Sequence, residues 1–195
     1  MIRTIFVLIL FLSGCSPEIA NRDSKQGPII CFGDSITQGE GATPGSDYPS
    51  LLSKKLNTKI INAGVGGDTT ADALKRMGSD VLTKGPRLVI IEFCGNDFLQ
   101  GVQKEQTLSN LDKMVEMAQE RHAMVALVEV AAGYFGDQYL EGFKKIAAKR
   151  KALLIPGILK GIIADPSLKS DQIHPNDAGY AIVADRIYRK IRPYL

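Results

Sequence analysis

The sequence predicts an α/β fold of three layers, in which helices cover both faces of a five-stranded parallel sheet. Two observations predict it. Five short apolar runs alternate with longer segments of helical periodicity, which is the pattern of strands joined by helical crossovers. The runs lack the polar alternation of half-exposed strands, as is typical of strands buried on both faces. Because crossovers are right-handed, few topologies fit, and the simplest is a flavodoxin-like sheet with strand order 2-1-3-4-5.

The size and charge of the chain are those of a single globular domain. Its 195 residues suit one domain, and shares of 45% hydrophobic and 23% charged residues are ordinary for a globular protein. The formal net charge of +3 is small and the basic residues are scattered, which argues against a nucleic-acid surface. We therefore expect no nucleic-acid partner. We also expect a monomer.

The first strand is predicted at residues 28–32, an uncharged run that breaks at Gly33 and Asp34. Ser35 follows directly, so its hydroxyl is expected at the carboxyl edge of the sheet, where open α/β folds bind their ligands. Glycine, aspartate and serine are also common turn residues. This tripeptide alone therefore does not decide between a turn and a site.

Two helices and the second strand come next. After a glycine-rich loop, Ser46 or Asp47 is predicted to cap the first of these helices. The second strand is predicted at residues 59–62 and breaks at a run of glycines. The following helix opens with Thr69 and Asp72 at the spacing of a capping box.

Three more strands complete the predicted sheet, at residues 87–93, 124–130 and 152–155. Segments with apolar residues at helical spacing follow the first two of them. An irregular segment leads from the last strand to Asp171 and His174. A helix with an apolar stripe then ends the chain.

Residues 1–14 are predicted to be a signal peptide. Arg3 supplies a basic start, and the apolar run at residues 5–12 is too short to span a bilayer. The motif Leu-Ser-Gly-Cys that ends at Cys15 resembles the lipobox of bacterial lipoproteins. The resemblance implies cleavage before Cys15 and acylation of that cysteine. The alternative is an ordinary signal peptide with a chance cysteine.

The chain is therefore divided into the signal peptide at residues 1–14, a polar tether at residues 15–26 and a folded domain at residues 27–195. We expect an exported protein that is lipid-anchored to a bacterial membrane. In bacterial lipoproteins, an aspartate directly after the acylated cysteine changes the membrane to which the protein is sorted. Position 16 is a serine, which implies the outer membrane, facing the periplasm, in a Gram-negative cell.

Four short sequence blocks that interrupt the predicted strands and helices contain the groups that acyl transfer requires. Ser35 supplies a hydroxyl nucleophile, His174 an imidazole base, and Asp171 a carboxylate that orients the imidazole. The backbone N–H groups of Ser35 and Gly67 and the side-chain amide of Asn96 can donate to the oxyanion. The predicted site therefore combines a catalytic triad with an oxyanion hole.

Four other polar or reactive residues are given no chemical role. Cys31 and Cys94 are expected at different heights along their strands, so we predict two buried free thiols instead of a disulfide. His122, the second of two histidines, is expected on the surface at a helix end. Asp97 is interpreted as a cap of the helix that follows it.

The four blocks resemble those of the SGNH, or GDSL-type, hydrolases, in the same order and over nearly the whole chain after Gly27. They are Gly33-Asp34-Ser35-Ile36, Gly67-Asp68, Gly95-Asn96-Asp97 and Asp171-Gln172-Ile173-His174-Pro175. Residues 62–69 and 132–134 look most similar to the bacterial branch of thioesterases, arylesterases and lysophospholipases. The resemblance implies a carboxylic ester hydrolase that forms an acyl-enzyme on Ser35 and needs no cofactor or metal. It also implies a small-molecule or lipid ester substrate.

The sequence departs from this family at Gly64-Val65-Gly66, which is richer in glycine and leaves open which glycine donates its N–H. Other folds fit less well, because an α/β-hydrolase elbow needs glycine in place of Thr37 and a Rossmann fingerprint needs it in place of Thr69. Two alternative functions stay open. They are a carbohydrate O-acetyl esterase acting on cell-wall or exogenous sugars, and a non-catalytic lipoprotein that uses the fold for binding. The aromatic residues at 134 and 135 are interpreted as either an acyl-pocket wall or a surface loop.

Overall fold

The computed structural model describes residues 18–130 and 138–195. The strands within them are β1 (Ile29–Gly33), β2 (Ile60–Gly64), β3 (Leu88–Glu92), β4 (Met124–Val128) and β5 (Leu153–Ile155). They form one sheet in the order β2-β1-β3-β4-β5, and every neighbouring pair is parallel. The predicted fold class and strand order are therefore confirmed.

The helices of the described residues are α1 (Ser35–Gln38), α2 (Tyr48–Leu56), α3 (Thr70–Asp80), α4 (Gly95–Leu99), α5 (Lys104–Glu120), α6 (Leu140–Arg150) and α7 (Asp177–Ile191). Helix α2 packs on α7, while α3 and α6 both pack on α5. This grouping follows because the right-handed crossover from β1 to β2 runs along the sheet in the opposite direction to the three later crossovers, which places α2 on the face opposite α3, α5 and α6. Helices α1 and α4 are too short to show an apolar period, so the sequence indicates only turns at these positions.

The core extends to the edge of the sheet where the predicted site lies. Every residue of β1, β3 and β4 is buried, which explains why their sequences are nearly continuous apolar runs. The rings of Phe32 and Phe93 meet edge to face with their centroids 5.1 Å apart. The loops that leave β1 and β3 therefore start from tightly packed positions.

Side-chain caps fix the starts of the helices that follow the site loops. Asp47 caps α2 and accepts a hydrogen bond from the backbone N–H of Ser50 at 2.9 Å. Thr69 and Asp72 form a capping box at the start of α3, as predicted. Such caps pair backbone N–H groups that the first turn of a helix leaves without acceptors, so they fix the residue at which each loop ends and the helix begins.

The packed part of the chain begins before Gly27. Ile19 is buried, and the Asn21 side chain donates to the carbonyl oxygens of Gln119 and Ala123 at 3.0 and 3.1 Å. The described part of the predicted tether thus lies against the amino ends of the strands instead of hanging free. Ile19 is an apolar side chain that gains from burial, and Asn21 pairs carbonyl groups that would otherwise need water.

Some sequence predictions concern residues outside the described ranges. Cys15 and the signal peptide lie in residues 1–17, and the aromatic pair lies in residues 131–137. Those interpretations stay predictions. Among the residues that the structure describes, no helix is both long enough and apolar enough to cross a membrane.

The two described cysteines, Cys31 and Cys94, are buried free thiols, as predicted. Cys31 is level with Ile90 of β3, so Cys94 lies four residues further along the chain. This offset is the difference in height that argues against a disulfide.

Candidate active site

Ser35 stands at the first position of α1, directly after β1. Asp34 caps this helix, and its Oδ1 accepts the Ile36 N–H at 3.0 Å. The first N–H groups of a helix have no acceptor within the helix, so the Ser35 N–H is available to a ligand. The local fold thus presents the Ser35 hydroxyl and its own N–H at the same edge of the sheet.

The predicted triad is assembled. The Ser35 hydroxyl lies 2.9 Å from His174 Nε2, and His174 Nδ1 lies 2.7 Å from Asp171 Oδ2. The His174 side chain is 13% exposed, whereas the Asp171 side chain is 52% exposed. The imidazole therefore lies between a hydroxyl that can donate a proton and a carboxylate that can hold its other nitrogen.

Backbone contacts hold Asp171 in place. Its Oδ1 accepts the N–H groups of Ile173 and His174, each at 2.8 Å. Partial burial raises the pKa of this carboxyl, but the His174 ring and the two backbone N–H groups outweigh burial and lower the pKa to about 2. Asp171 is therefore ionised throughout the neutral pH range and keeps the imidazole oriented.

Hydrogen bonding distinguishes the three glycine N–H groups of the loop after β2. The N–H of Gly64 donates to Asn62 Oδ1 at 2.9 Å, and the N–H of Gly66 donates to Gln38 Oε1 at 2.5 Å. Within the described residues the N–H of Gly67 has no such partner, and its φ of 83° suits glycine. Of the three glycines, Gly67 therefore has the N–H that is unpaired among the described residues, and its role as an oxyanion donor stays a prediction.

Asn96 is presented by the short helix α4. Its Nδ2 donates one hydrogen to the Asp68 carbonyl at 3.0 Å, which leaves the second hydrogen for a ligand. Cys94, just before α4, has a φ of 129°, a value that L residues rarely adopt. This strained turn redirects the chain from β3 into α4 and so places Asn96 beside the end of β1.

The roles of two other predicted residues can also be reported. Asp97 is buried and accepts from the N–H of Thr70 at 2.9 Å and from the hydroxyl of Thr107 at 3.1 Å. It therefore joins α4 to the starts of α3 and α5 and does not cap the helix after it, which corrects that interpretation. His122 is exposed just after α5, as predicted.

Glu92, at the end of β3, lines the site although the sequence motifs do not indicate it. It is fully buried, and its Oε2 accepts the Thr37 hydroxyl at 2.8 Å. Its Oε1 has no partner among the described residues. Burial, and then the neighbouring Asp34 carboxyl, raise the pKa of Glu92 well above its usual value. The sequence signal for Glu92 is an ionisable residue at the end of an otherwise apolar strand.

We expect Glu92→Gln to become more stable relative to the wild type as pH rises from 4.5 to 9. The pKa of Glu92 is raised in the folded state, so its ionisation destabilises the native protein above the unfolded pKa. Glutamine cannot ionise, so this loss disappears. Urea unfolding of both proteins across the pH range measures the difference, with Glu120→Gln on the surface as control. A difference that stays constant with pH would contradict the expectation.

A cavity of about 30 Å³ opens beside Ser35 and His174. Apolar side chains form much of its wall: Ile36, Leu99, Val130, Leu159 and Ile173. Leu99 lines this cavity and is 55% exposed, so it lies at the mouth of the cavity. The site therefore places polar donors beside a small apolar surface.

The fold and the Ser–His–Asp arrangement define a serine hydrolase of three-layer α/β/α architecture. The chain belongs to the GDSL-like Lipase/Acylhydrolase family, whose sequence profile matches residues 31–182. The enzyme class predicted from the sequence, a carboxylic ester hydrolase, is thereby confirmed.

Individual proteins agree with this assignment. The chain is 29% identical to esterase TesA of Pseudomonas aeruginosa over 198 residues, which cover 95% of this chain and 98% of the relative. It is 28% identical over 180 residues to thioesterase 1/protease 1/lysophospholipase L1 of Escherichia coli, covering 88% and 86% of the two chains. A crystal structure of TesA matches with a TM-score of 0.80 at 29% identity, covering 86% of this chain and 99% of that one.

Proposed function

We propose that Ser35 is the nucleophile of this hydrolase and that the reaction proceeds through an acyl-enzyme. The continuous hydrogen-bond chain from Asp171 through His174 to the Ser35 hydroxyl carries the proposal. The Ser35 oxygen attacks the ester carbonyl while His174 Nε2 takes its proton. The Ser35 and Gly67 N–H groups and the Asn96 amide receive the developing oxyanion.

The second half of the reaction uses the same groups in reverse. Collapse of the tetrahedral intermediate breaks the ester C–O bond, and His174 returns its proton to the departing alcohol. Water then attacks the acyl-enzyme while His174 again acts as base. Protonation of Ser35 by His174 releases the carboxylic acid and restores the free enzyme.

We expect Asn96→Ala to lower kcat by about 10²–10³-fold with KM nearly unchanged, because the amide donates mainly once the oxygen is negative. Steady-state kinetics on p-nitrophenyl acetate measure both constants, and circular dichroism verifies the fold. Asn96→Asp should be worse, since a carboxylate repels the oxyanion. A folded Asn96→Ala enzyme with kcat within about threefold of wild type would show that Asn96 only shapes the turn.

The proposed substrates are aryl esters, lysophospholipids and related acyl esters, together with thioesters. The apolar wall of the cavity supports an acyl group as the recognised part of the substrate. The names of the two relatives, an esterase and a thioesterase/lysophospholipase, agree with this range. An acetyl ester of a carbohydrate is a second candidate, because the described cavity is small.

Acyl-chain length separates these candidates. Leu99→Ala should lower kcat/KM for p-nitrophenyl octanoate about five- to tenfold, because one apolar contact with the chain is lost, and should leave the acetate ester nearly unaffected. Val65→Ala removes another exposed apolar side chain outside the cavity wall and is the matched control. A wild-type enzyme that cleaves only acetyl esters, from a C2 to C16 panel with lysophosphatidylcholine, would favour the carbohydrate esterase instead.

We also propose that the protein is exported and held on a membrane by lipid on Cys15. The lipobox-like motif supports this. The described chain also begins at the amino-terminal edge of the sheet, opposite the carboxyl edge that holds Ser35. There the Ala20 N–H donates to the Lys151 carbonyl at 2.9 Å. Only two residues separate Cys15 from Glu18, a reach of roughly 10 Å. The active site would then face away from the membrane, toward dispersed esters. Cys15→Ser should leave the detergent phase in a two-phase partition, and unchanged partitioning would disprove the anchor.

A further inference from the structure

The Arg76 side chain of α3 forms hydrogen bonds with the strand ends and the loop next to the site. Its Nε donates to Asp68 Oδ2 at 2.5 Å, and Nη2 donates to the Gly33 carbonyl at 3.0 Å. Nη1 donates to the Ala63 carbonyl at 2.8 Å and to Asp80 Oδ2 at 3.1 Å. The Arg76 side chain is only 16% exposed, so these bonds form largely away from water.

The acceptors of Arg76 lie beside the catalytic groups. Gly33 ends β1 two residues before Ser35, and Ala63 lies near the end of β2. The guanidinium also stacks 4.5 Å from the centre of the Phe32 ring, which fixes its plane. One side chain therefore joins the ends of two neighbouring strands.

Asp68 connects Arg76 to the Asn96 amide. It follows Gly67 in the chain, and its carbonyl accepts the Asn96 side-chain amide at 3.0 Å. In the described part of the chain, Arg76 is the hydrogen-bond donor that holds the Asp68 carboxylate. We propose that Arg76 is a positioning residue of the oxyanion hole: by holding Asp68, whose carbonyl accepts the Asn96 amide, it orients that amide.

This inference rests on the proposed oxyanion role of Asn96. Donors act on the transition state only when they are held at the right distance, and a displacement of about 1 Å can cost up to about 10²-fold in rate. Lysine at position 76 keeps the charge, but its single ammonium cannot bond the Asp68, Gly33 and Ala63 acceptors in one plane. Charge alone would therefore not preserve the geometry.

The test is a double-mutant cycle between Arg76→Lys and Asn96→Ala. Arg76→Lys should lower kcat for p-nitrophenyl acetate about tenfold with KM within about twofold. In the Asn96→Ala background the same change should cost about twofold or less, because the amide that it positions is already gone. Asp68→Asn, which keeps an acceptor for Arg76 but not its charge, should show the same coupling at a smaller size.

Arg150→Lys is the matched control. Arg150 bonds Asp112 at 2.7 Å through both Nε and Nη2, and the Arg150 and Asp112 side chains are each 20% exposed. It joins α6 to α5 away from the site, so its replacement should lower the melting temperature and leave kcat unchanged. If Arg76 were only structural, Arg76→Lys would likewise lower the melting temperature and leave kcat unchanged.

Three outcomes distinguish the possibilities. Folded Arg76→Lys with kcat within twofold of wild type, or with an equal loss in both backgrounds, would overturn the positioning role alone. Wild-type kcat in Asn96→Ala would overturn the oxyanion proposal and the positioning role with it. If Arg76→Lys does not fold, the Asp68→Asn cycle decides, and additive losses there would overturn the inference.

Discussion

Ser35→Ala should lower kcat for ester hydrolysis by about 10⁴-fold or more, because no acyl-enzyme can form without the hydroxyl. The fold should survive, since the described contact of the hydroxyl is with His174 alone. The Ser35 N–H and the other oxyanion donors remain in the variant, so any residual rate comes from them. Initial rates with p-nitrophenyl acetate, and melting curves followed by circular dichroism, measure the two quantities.

Ser53→Ala is the control for this experiment. Ser53 lies in α2 and donates to the Thr58 carbonyl at 2.8 Å, so its loss tests a serine hydroxyl outside the site. Its kcat should match the wild type. A folded Ser35→Ala enzyme that keeps more than about 1% of wild-type turnover would rule out Ser35 as the nucleophile.

His174→Ala should be as damaging as the loss of Ser35, again by about 10⁴-fold or more in kcat. The imidazole both accepts the Ser35 proton and returns it to the leaving group, so no other group takes over. The chain has only one other histidine, His122, which is exposed after α5. The same kinetic assay applies, and added imidazole should restore part of the lost rate.

His122→Ala is the natural partner of that variant. It removes the same side chain from a position outside the cavity wall, so kcat and KM should not change. Asp171→Asn should cost less than His174→Ala, because the imidazole remains and only its orientation and charge stabilisation suffer. If His122→Ala were the more damaging of the two histidine changes, the assignment of the base would be wrong.

The strands and their ends could be predicted because they depend on local sequence. Buried strands must be apolar, and their ends must break on residues that turn the chain, so Ser35, Gly67 and Asn96 could be placed at one edge. The handedness of crossovers then brought these ends together. Asp171 and His174 could be assigned to the site because they share a short loop before the last helix.

The supporting residues could not be predicted, because their roles depend on tertiary packing. Arg76 stands among charged neighbours in α3, a pattern that usually indicates a solvent-facing side, yet it bonds the carbonyl groups of Gly33 and Ala63. The polar segment that holds Asn21 reads as a tether until the carbonyl groups it pairs with are known. Glu92 was the exception, since a carboxylate within a buried strand indicates an unusual environment.

During turnover, Ser35 is expected to become covalently acylated. The most direct test is mass spectrometry of the protein after reaction with a fluorophosphonate probe, followed by peptide mapping. We expect one phosphonyl group per chain, located on Ser35, with no adduct in Ser35→Ala and slower labelling in Asn96→Ala. An adduct on another residue, or hydrolysis by the wild-type enzyme with no adduct at all, would contradict it.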